Sequence, residues 1–176
     1  MTSNFSTRLR LAAVVALAAL LGAAIYLMDA THDHAQAQDR SPVVDVAIGD
    51  PEMAAAIAKA RASLPAFWAS YETPKAQEAG HSLKVRFPTG GSNGEHIWMA
   101  EVKKLAGGRY SGRFANQPRD LPGKRMGDRV EFAEADISDW MFMRNGKIVG
   151  GETIRPTLKR MPKADADALR ARMETP

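Results

Sequence analysis

The chain has 176 residues, 45% of them apolar and 25% charged, and carries a formal charge of +4. That balance excludes a disordered tail and a polytopic membrane protein, and setting aside a leader of about 40 residues leaves enough chain for one hydrophobic core. With no cysteine there is no disulfide, no thiolate zinc site and no lipidated cysteine. The basic residues are scattered and form no Lys/Arg block interleaved with aromatics, so nucleic acid is not expected as a partner.

Arg8 and Arg10 precede an uncharged apolar run from Leu11 to Met28 that ends at Asp29. This is the pattern of a membrane-targeting segment, with positive charge holding its N-terminal side in the cytoplasm and the rest translocated. Two fates fit it. Ala35-Gln36-Ala37 matches a small-x-small cleavage site, and the run is also just long enough to span a bilayer. The expected location is therefore the periplasmic side of the bacterial inner membrane, anchored by residues 11–28 or released after cleavage near Ala37. The polar stretch from Asp29 to Pro42, with His32 and His34, reads as a tether and not as a metal site.

Asp50, Pro51 and Glu52 supply an N-cap, a first-turn proline and an acid at the positive helix end. A helix is predicted there, with Met53, Ile57, Ala60 and Leu64 on its packing stripe. Pro65 predicts a kink or a new short helix through Phe67, Trp68 and Tyr71, an aromatic trio read as core. From Ser82 the period becomes two: Leu83, Val85 and Phe87 alternate with Lys84 and Arg86. The stretch His96 to Val102 is apolar on both faces, with Trp98, Ala100 and Val102 on one and Ile97 and Met99 on the other, as in a central strand. Further strands are predicted around Tyr110 to Phe114 and Arg129 to Phe132. Lys163 to Met173 reads as a short solvated helix with Leu169 and Met173 as its few packing residues.

Asn145-Gly146 marks a type I′ hairpin. If Arg144 pairs with Lys147, Phe142 faces Val149, Trp140 lies over Gly151, and Asp139 stands opposite Glu152. Two opposed acids repel and raise one carboxyl pKa, which suits an acid/base pair, a hard-metal site or a cradle for a cationic group, with Glu95 or His96 alongside. A bulge near Gly150-Gly151 or a neighbouring cation would remove that chemistry. No G-x-S-x-G elbow, P-loop, G-x-G-x-x-G or H-E-x-x-H occurs, and no cofactor or metal is expected. Thr89 to Gly94 reads as a flexible connection.

The ordered set Ala60-Arg61 to Phe67, Glu95-His96-Ile97-Trp98, Gly112 with Asn116-Gln117-Pro118, Gly127-Asp128-Arg129-Val130 and Ile137-Ser138-Asp139-Trp140-Met141 resembles the YegJ-like family, the bacterial domain-of-unknown-function family numbered twenty-three fourteen. The resemblance covers roughly Pro51 to Pro156 and implies no activity. It implies a shared framework that includes Glu95, His96, Trp98, Asn116, Asp128, Asp139 and Trp140. By analogy with similar small domains in toxin and immunity systems it also implies a protein-binding role.

The expected architecture is an α+β domain over residues 43–162, with one N-terminal helix on a curved antiparallel sheet of about five strands and a helical tail at 163–176. The favoured function is a noncatalytic periplasmic binding or protein-interaction module with an envelope or secreted protein partner, with recognition at exposed sheet edges and the 88–94 loop. The binding candidates are Trp98, Asn116, Asp128 and Trp140. The alternative is an envelope hydrolase using Asp139, Glu152, Glu95 and His96.

Overall fold

The computed structural model describes residues 49–90 and 94–175. The targeting segment, the tether with His32 and His34, and the cleavage motif lie outside the described residues. Among those described, no helix is long and apolar enough to cross a membrane.

Asp50 caps the first helix as expected, its Oδ1 accepting from the Glu52 and Met53 amides, and α1 runs Pro51–Ala62. Pro65 stands in the first turn of a second helix, α2 (Leu64–Glu72), the new short helix predicted there, so two helices and not one pack on the sheet. Six strands follow: β1 (Glu78–Phe87), β2 (Glu95–Lys104), β3 (Arg109–Phe114), β4 (Arg129–Ala133), β5 (Ile137–Arg144) and β6 (Lys147–Gly150). They form one antiparallel sheet in the order β4-β3-β2-β1-β5-β6, which places β2 inside it. A short α3 (Ile154–Thr157), a 3₁₀ turn and α4 (Lys163–Ala171) close the chain.

The sheet's two faces are covered unequally. On one, α1 and α2 lay Ala60, Leu64 and Phe67 against Leu83, Val85, Ile97, Met99, Phe114, Trp140 and Phe142. Arg61 fastens α1 by donating from Nε to Ile137 O (2.8 Å) and from a guanidinium nitrogen to Ala135 O (2.9 Å). On the other face a smaller cluster of Ile148, Leu158, Ala166 and Met173, with Met141 and Met143, covers only the β5–β6 end. The C-terminal helix is thus packed on the sheet. Beyond it the Ile148 amide donates to Arg172 O and the Glu174 amide to Ile148 O, capping the β6 edge with a parallel bridge. The cover on β1 to β4 of this face is absent among the described residues, and their side chains there are mostly polar.

Two irregularities move side chains from where alternation puts them. The β2–β3 register slips between Ala100 and Lys103, with Glu101 at φ 47°, so Val102 joins Ile97 and Met99 in the core instead of sharing a face with Trp98. At the hairpin, Arg144 pairs with Lys147 and Phe142 with Val149, as the Asn-Gly turn predicts. The ladder then ends at Gly150 and Gly151, both at positive φ, and the Trp140 ring lies against Gly150.

A Cβ on Gly150 would sit 2.5 Å from Trp140 O and 2.7 Å from its ring, whereas one on Gly146 would meet nothing within 4 Å. Both positions need positive φ. Gly146→Ala should therefore cost about 1 kcal/mol of unfolding free energy, the left-handed penalty alone, and Gly150→Ala about 3 kcal/mol or more through the added clash. Urea melts giving equal losses would refute this placement of Trp140.

Candidate functional site

Lys84 on β1 stands between Trp98 on β2 and Asp139 on β5, all three on the face opposite α1 and α2. Asp139 is 1% exposed. Its Oδ1 accepts from the Trp140 amide (2.8 Å) and the Glu152 amide (3.2 Å). Its Oδ2 accepts from the Thr153 amide (2.8 Å) and hydroxyl (2.6 Å). Lys84 Nζ donates to the same Thr153 Oγ1 at 3.2 Å and lies 5.6 Å from the centroid of Trp98. Lysine and aspartate are therefore joined through the threonine hydroxyl.

Burial raises the Asp139 carboxyl above its ordinary value, and Thr153, the Trp140 amide and Lys84 offset only part of that shift. Every group around it donates, so the geometry suits the ionised form. Burial pushes Lys84 down and Asp139 opposes that shift. His96 Nδ1 lies 2.8 Å from Ser138 Oγ, which donates to Lys84 O at 3.2 Å. Close packing of the His96 ring, then the charges of Lys84, Arg86 and Arg61, push its pKa down to about 4. The residue as a whole stays exposed, so it is a neutral imidazole at the surface near pH 7.

The opposed acids do not form a like-charge pair. The turn at Gly150-Gly151 brings the Glu152 backbone to Asp139 and sends the Glu152 carboxylate to Lys59 (3.1 Å) and Arg155 (3.5 Å). Glu95 is elsewhere too, accepting from the amides of Arg119 (2.9 Å) and Asp120 (3.0 Å). Of the hydrolase candidates only Asp139 and His96 belong to one network, and they enter it through different partners. Trp140 is core, its Nε1 donating to Ala60 O at 2.9 Å. Asp128 closes a turn by accepting from the Arg125 amide, and Asn116 is half-buried in the β3–β4 connection. Trp98 alone of the binding candidates lies half-exposed on the uncovered face. Lys84, Ser138 and Thr153 were not legible as site residues: 69 positions separate Lys84 from Thr153, and only the glycine turn joins them.

A second polar cluster sits on the helical face. Ser70 Oγ donates to Glu78 Oε2 and lies 2.8 Å from His81 Nε2, and Arg144 Nε donates to Glu78 Oε1 at 2.9 Å. The Ser70 proton is aimed at the carboxylate, so His81 is not placed as a base for it. A shallow depression lined by Arg61, Leu64, Glu134 and Ala135 contains no candidate residue. Among the described residues no three His, Asp or Glu side chains gather as metal ligands.

A helix pair on one face of an open six-stranded antiparallel sheet, tied through a buried carboxylate, defines a small α+β domain. The family model described as "Uncharacterized protein conserved in bacteria (DUF2314)" matches residues 50–173, and the chain belongs to that family. The match takes in α4 as well as the sheet. Over 79 residues the chain is 39% identical to the uncharacterized protein YegJ of Escherichia coli (strain K12), which is 45% of this chain and 51% of that protein. Over 76 residues it is 37% identical to the putative ankyrin repeat protein NMB1133/NMB1171 of Neisseria meningitidis serogroup B, which is 42% of this chain and 30% of that one. The matches thus span about half of one curated relative and under a third of the other. No solved structure matches the chain. The motif pieces that carried the resemblance are joined in space: Ala60 to Trp140, Arg61 to Ile137 and His96 to Ser138.

Asp139→Asn should act on folding first. It leaves Lys84 without its countercharge and turns an amide NH₂ toward donors, at a cost of about 3 kcal/mol. Lys84→Met in the same chain should recover part of that loss in a double-mutant cycle of chemical denaturation, and strict additivity would refute the coupling. Glu78 supplies a pH dependence. The Lys75 amide, Ser70 hydroxyl and Arg144 hold its pKa down from 4.5 to about 2 against its burial. A folded pKa below the unfolded one stabilises above the unfolded value and loses that contribution as pH falls toward the folded one. The denaturation midpoint should therefore drop between pH 4.5 and about 2 in the wild type, and less steeply in Glu78→Gln.

Proposed function

We propose that this protein is a noncatalytic exported interaction module that binds an envelope or secreted protein through the uncovered part of its sheet. The observation that carries the reading is the unequal cover that the described residues give the two faces. One face is packed against α1 and α2, while the β1–β4 part of the other presents half-exposed Trp98, exposed His96 and a set of charged side chains. Arg8 and Arg10 ahead of the apolar run Leu11 to Met28 support delivery to the periplasmic side, anchored or released. The hydrolase alternative needs Asp139, Glu152, Glu95 and His96 to converge. Instead Glu95 and Asp139 serve backbone amides, Glu152 is held in ion pairs and His96 is hydrogen-bonded to Ser138.

The test is affinity purification of the tagged full-length chain from gently solubilised envelopes, with the mature N-terminus read from the same sample. A stoichiometric protein partner is expected, and its recovery should fall when Lys103→Glu and Arg113→Glu are introduced together on the uncovered face. Recovery of no partner, or of a cytosolic one alone, would refute the reading.

A further inference from the structure

Basic residues that are dispersed along the chain are gathered by strand register onto the uncovered face. Lys103 pairs with Ser111, Arg113 with Ala100 and with Arg129, and Arg86 with His96, so their side chains share the face that holds Lys84 and Trp98. Arg109 joins them through its ion pair with Glu131. The tally on β1 to β5 of this face is six cations, Lys84, Arg86, Lys103, Arg109, Arg113 and Arg129, against three carboxylates, Glu101, Glu131 and Asp139. This face therefore carries a net charge of +3, six cations less three carboxylates.

The local pairing leaves acceptors in short supply. A single oxygen, Glu101 Oε2, takes both Arg113 Nε (2.8 Å) and Arg129 (2.8 Å). Further arginine donors turn to neutral oxygens: Arg113 to Gly127 O (2.8 Å), and Arg129 to Glu101 O (3.0 Å) and to Ser111 Oγ (3.4 Å). Two guanidinium groups on one carboxylate keep a net positive charge, and a second carboxylate is the group that matches their planar donor sets. Lys103 lies exposed next to them along β2.

We propose that this face binds an acidic polypeptide segment of the partner, its carboxylates meeting Lys103, Arg113 and Arg129. The inference rests on the interaction reading above and names the chemistry of the partner at that site. A polypeptide fits better than a nucleic acid for two reasons. Among the described residues the face carries one large aromatic ring, Trp98, already beside Lys84, and one imidazole, His96, hydrogen-bonded to Ser138, and so lacks the run of stacking platforms that holds successive bases. Glu101 and Glu131 also stand among the cations, where they repel a continuous phosphate backbone but leave room for carboxylates at intervals.

The test titrates the full-length protein in mild detergent with a labelled oligoglutamate peptide of about ten residues, long enough in extended form to cross four strands, and with an oligothymidylate of similar length. The expected result is anisotropy-detected binding of oligoglutamate at low ionic strength that weakens with salt. It should fall by roughly tenfold or more in Lys103→Glu/Arg113→Glu and stay unchanged in Lys75→Glu/Lys147→Glu, with both variants still unfolding cooperatively above the assay temperature. Absence of oligoglutamate binding, equal loss in the two variants, or tighter binding of oligothymidylate would overturn the proposal. A stoichiometric envelope partner whose capture survives Lys103→Glu/Arg113→Glu, but not substitutions elsewhere on the sheet, would overturn it too and leave the interaction module standing.

Discussion

The Asp139 carboxylate accepts four hydrogen bonds inside the protein, and most of the surrounding geometry follows from satisfying it. An ionised carboxylate out of water is tolerated only if donors replace the water it loses. Three of the four donors come from the segment just after β6, so the chain must double back there. Gly150 and Gly151 supply the positive φ that makes this return possible. Thr153 then becomes the link between the aspartate and Lys84, and β1, β5 and the post-β6 turn are fixed together. Ser138, the neighbour of Asp139, extends the same tie to His96 on β2. Through Asp139, three adjacent strands and the entry to the C-terminal segment share one polar anchor.

That anchor also separates two regions of different character on one face. Towards β6, Met141 and Met143 meet the C-terminal cluster and the face is dry. Towards β4, no apolar layer follows among the described residues and the side chains are mostly ionic. Lys84 stands at the boundary, with its amine on Thr153. The helical face makes a different use of charge. Glu78 there is held by an amide, a hydroxyl and Arg144, closing the start of β1 onto β5. Both buried acids are thus fastening points, which is why neither behaves as a free acid or base.

Local rules made much of this fold readable. The Asp50 cap, the break at Pro65, the period-two runs and the Asn-Gly turn each depend on residues within a few positions of one another. The start of β1 was hidden because Gly80, at φ 66°, and the register slip before Ser82 spoil alternation in Glu78 to His81. Val102 was assigned to the wrong face for the same reason, since the bulge at Glu101 adds a residue that no pattern announces. The hairpin register correctly brought residue 152 to Asp139. It could not say that a backbone amide, and not a carboxylate, would arrive there, because that depends on the conformation of two glycines beyond the ladder. Lys84 looked like an ordinary solvent-face lysine for want of any local sign of Thr153.

The basic face illustrates the limit most clearly. A linear search for clustered Lys and Arg finds nothing, because Arg86, Lys103, Arg113 and Arg129 lie on four different strands. Alternation places each on one side of its own strand, and register places the strands side by side about 4.8 Å apart. Charge density on a sheet is therefore a property of pairing. The bulge at Glu101 sharpens it: by turning that carboxylate toward Arg113 and Arg129, it gives two cations one shared acid and relieves their mutual repulsion without cancelling their charge. A face neutralised by one acid per cation would be inert, and one with no acid would strain the sheet. This one holds three acids among six cations, so its ion pairs are made and it is still short of carboxylate.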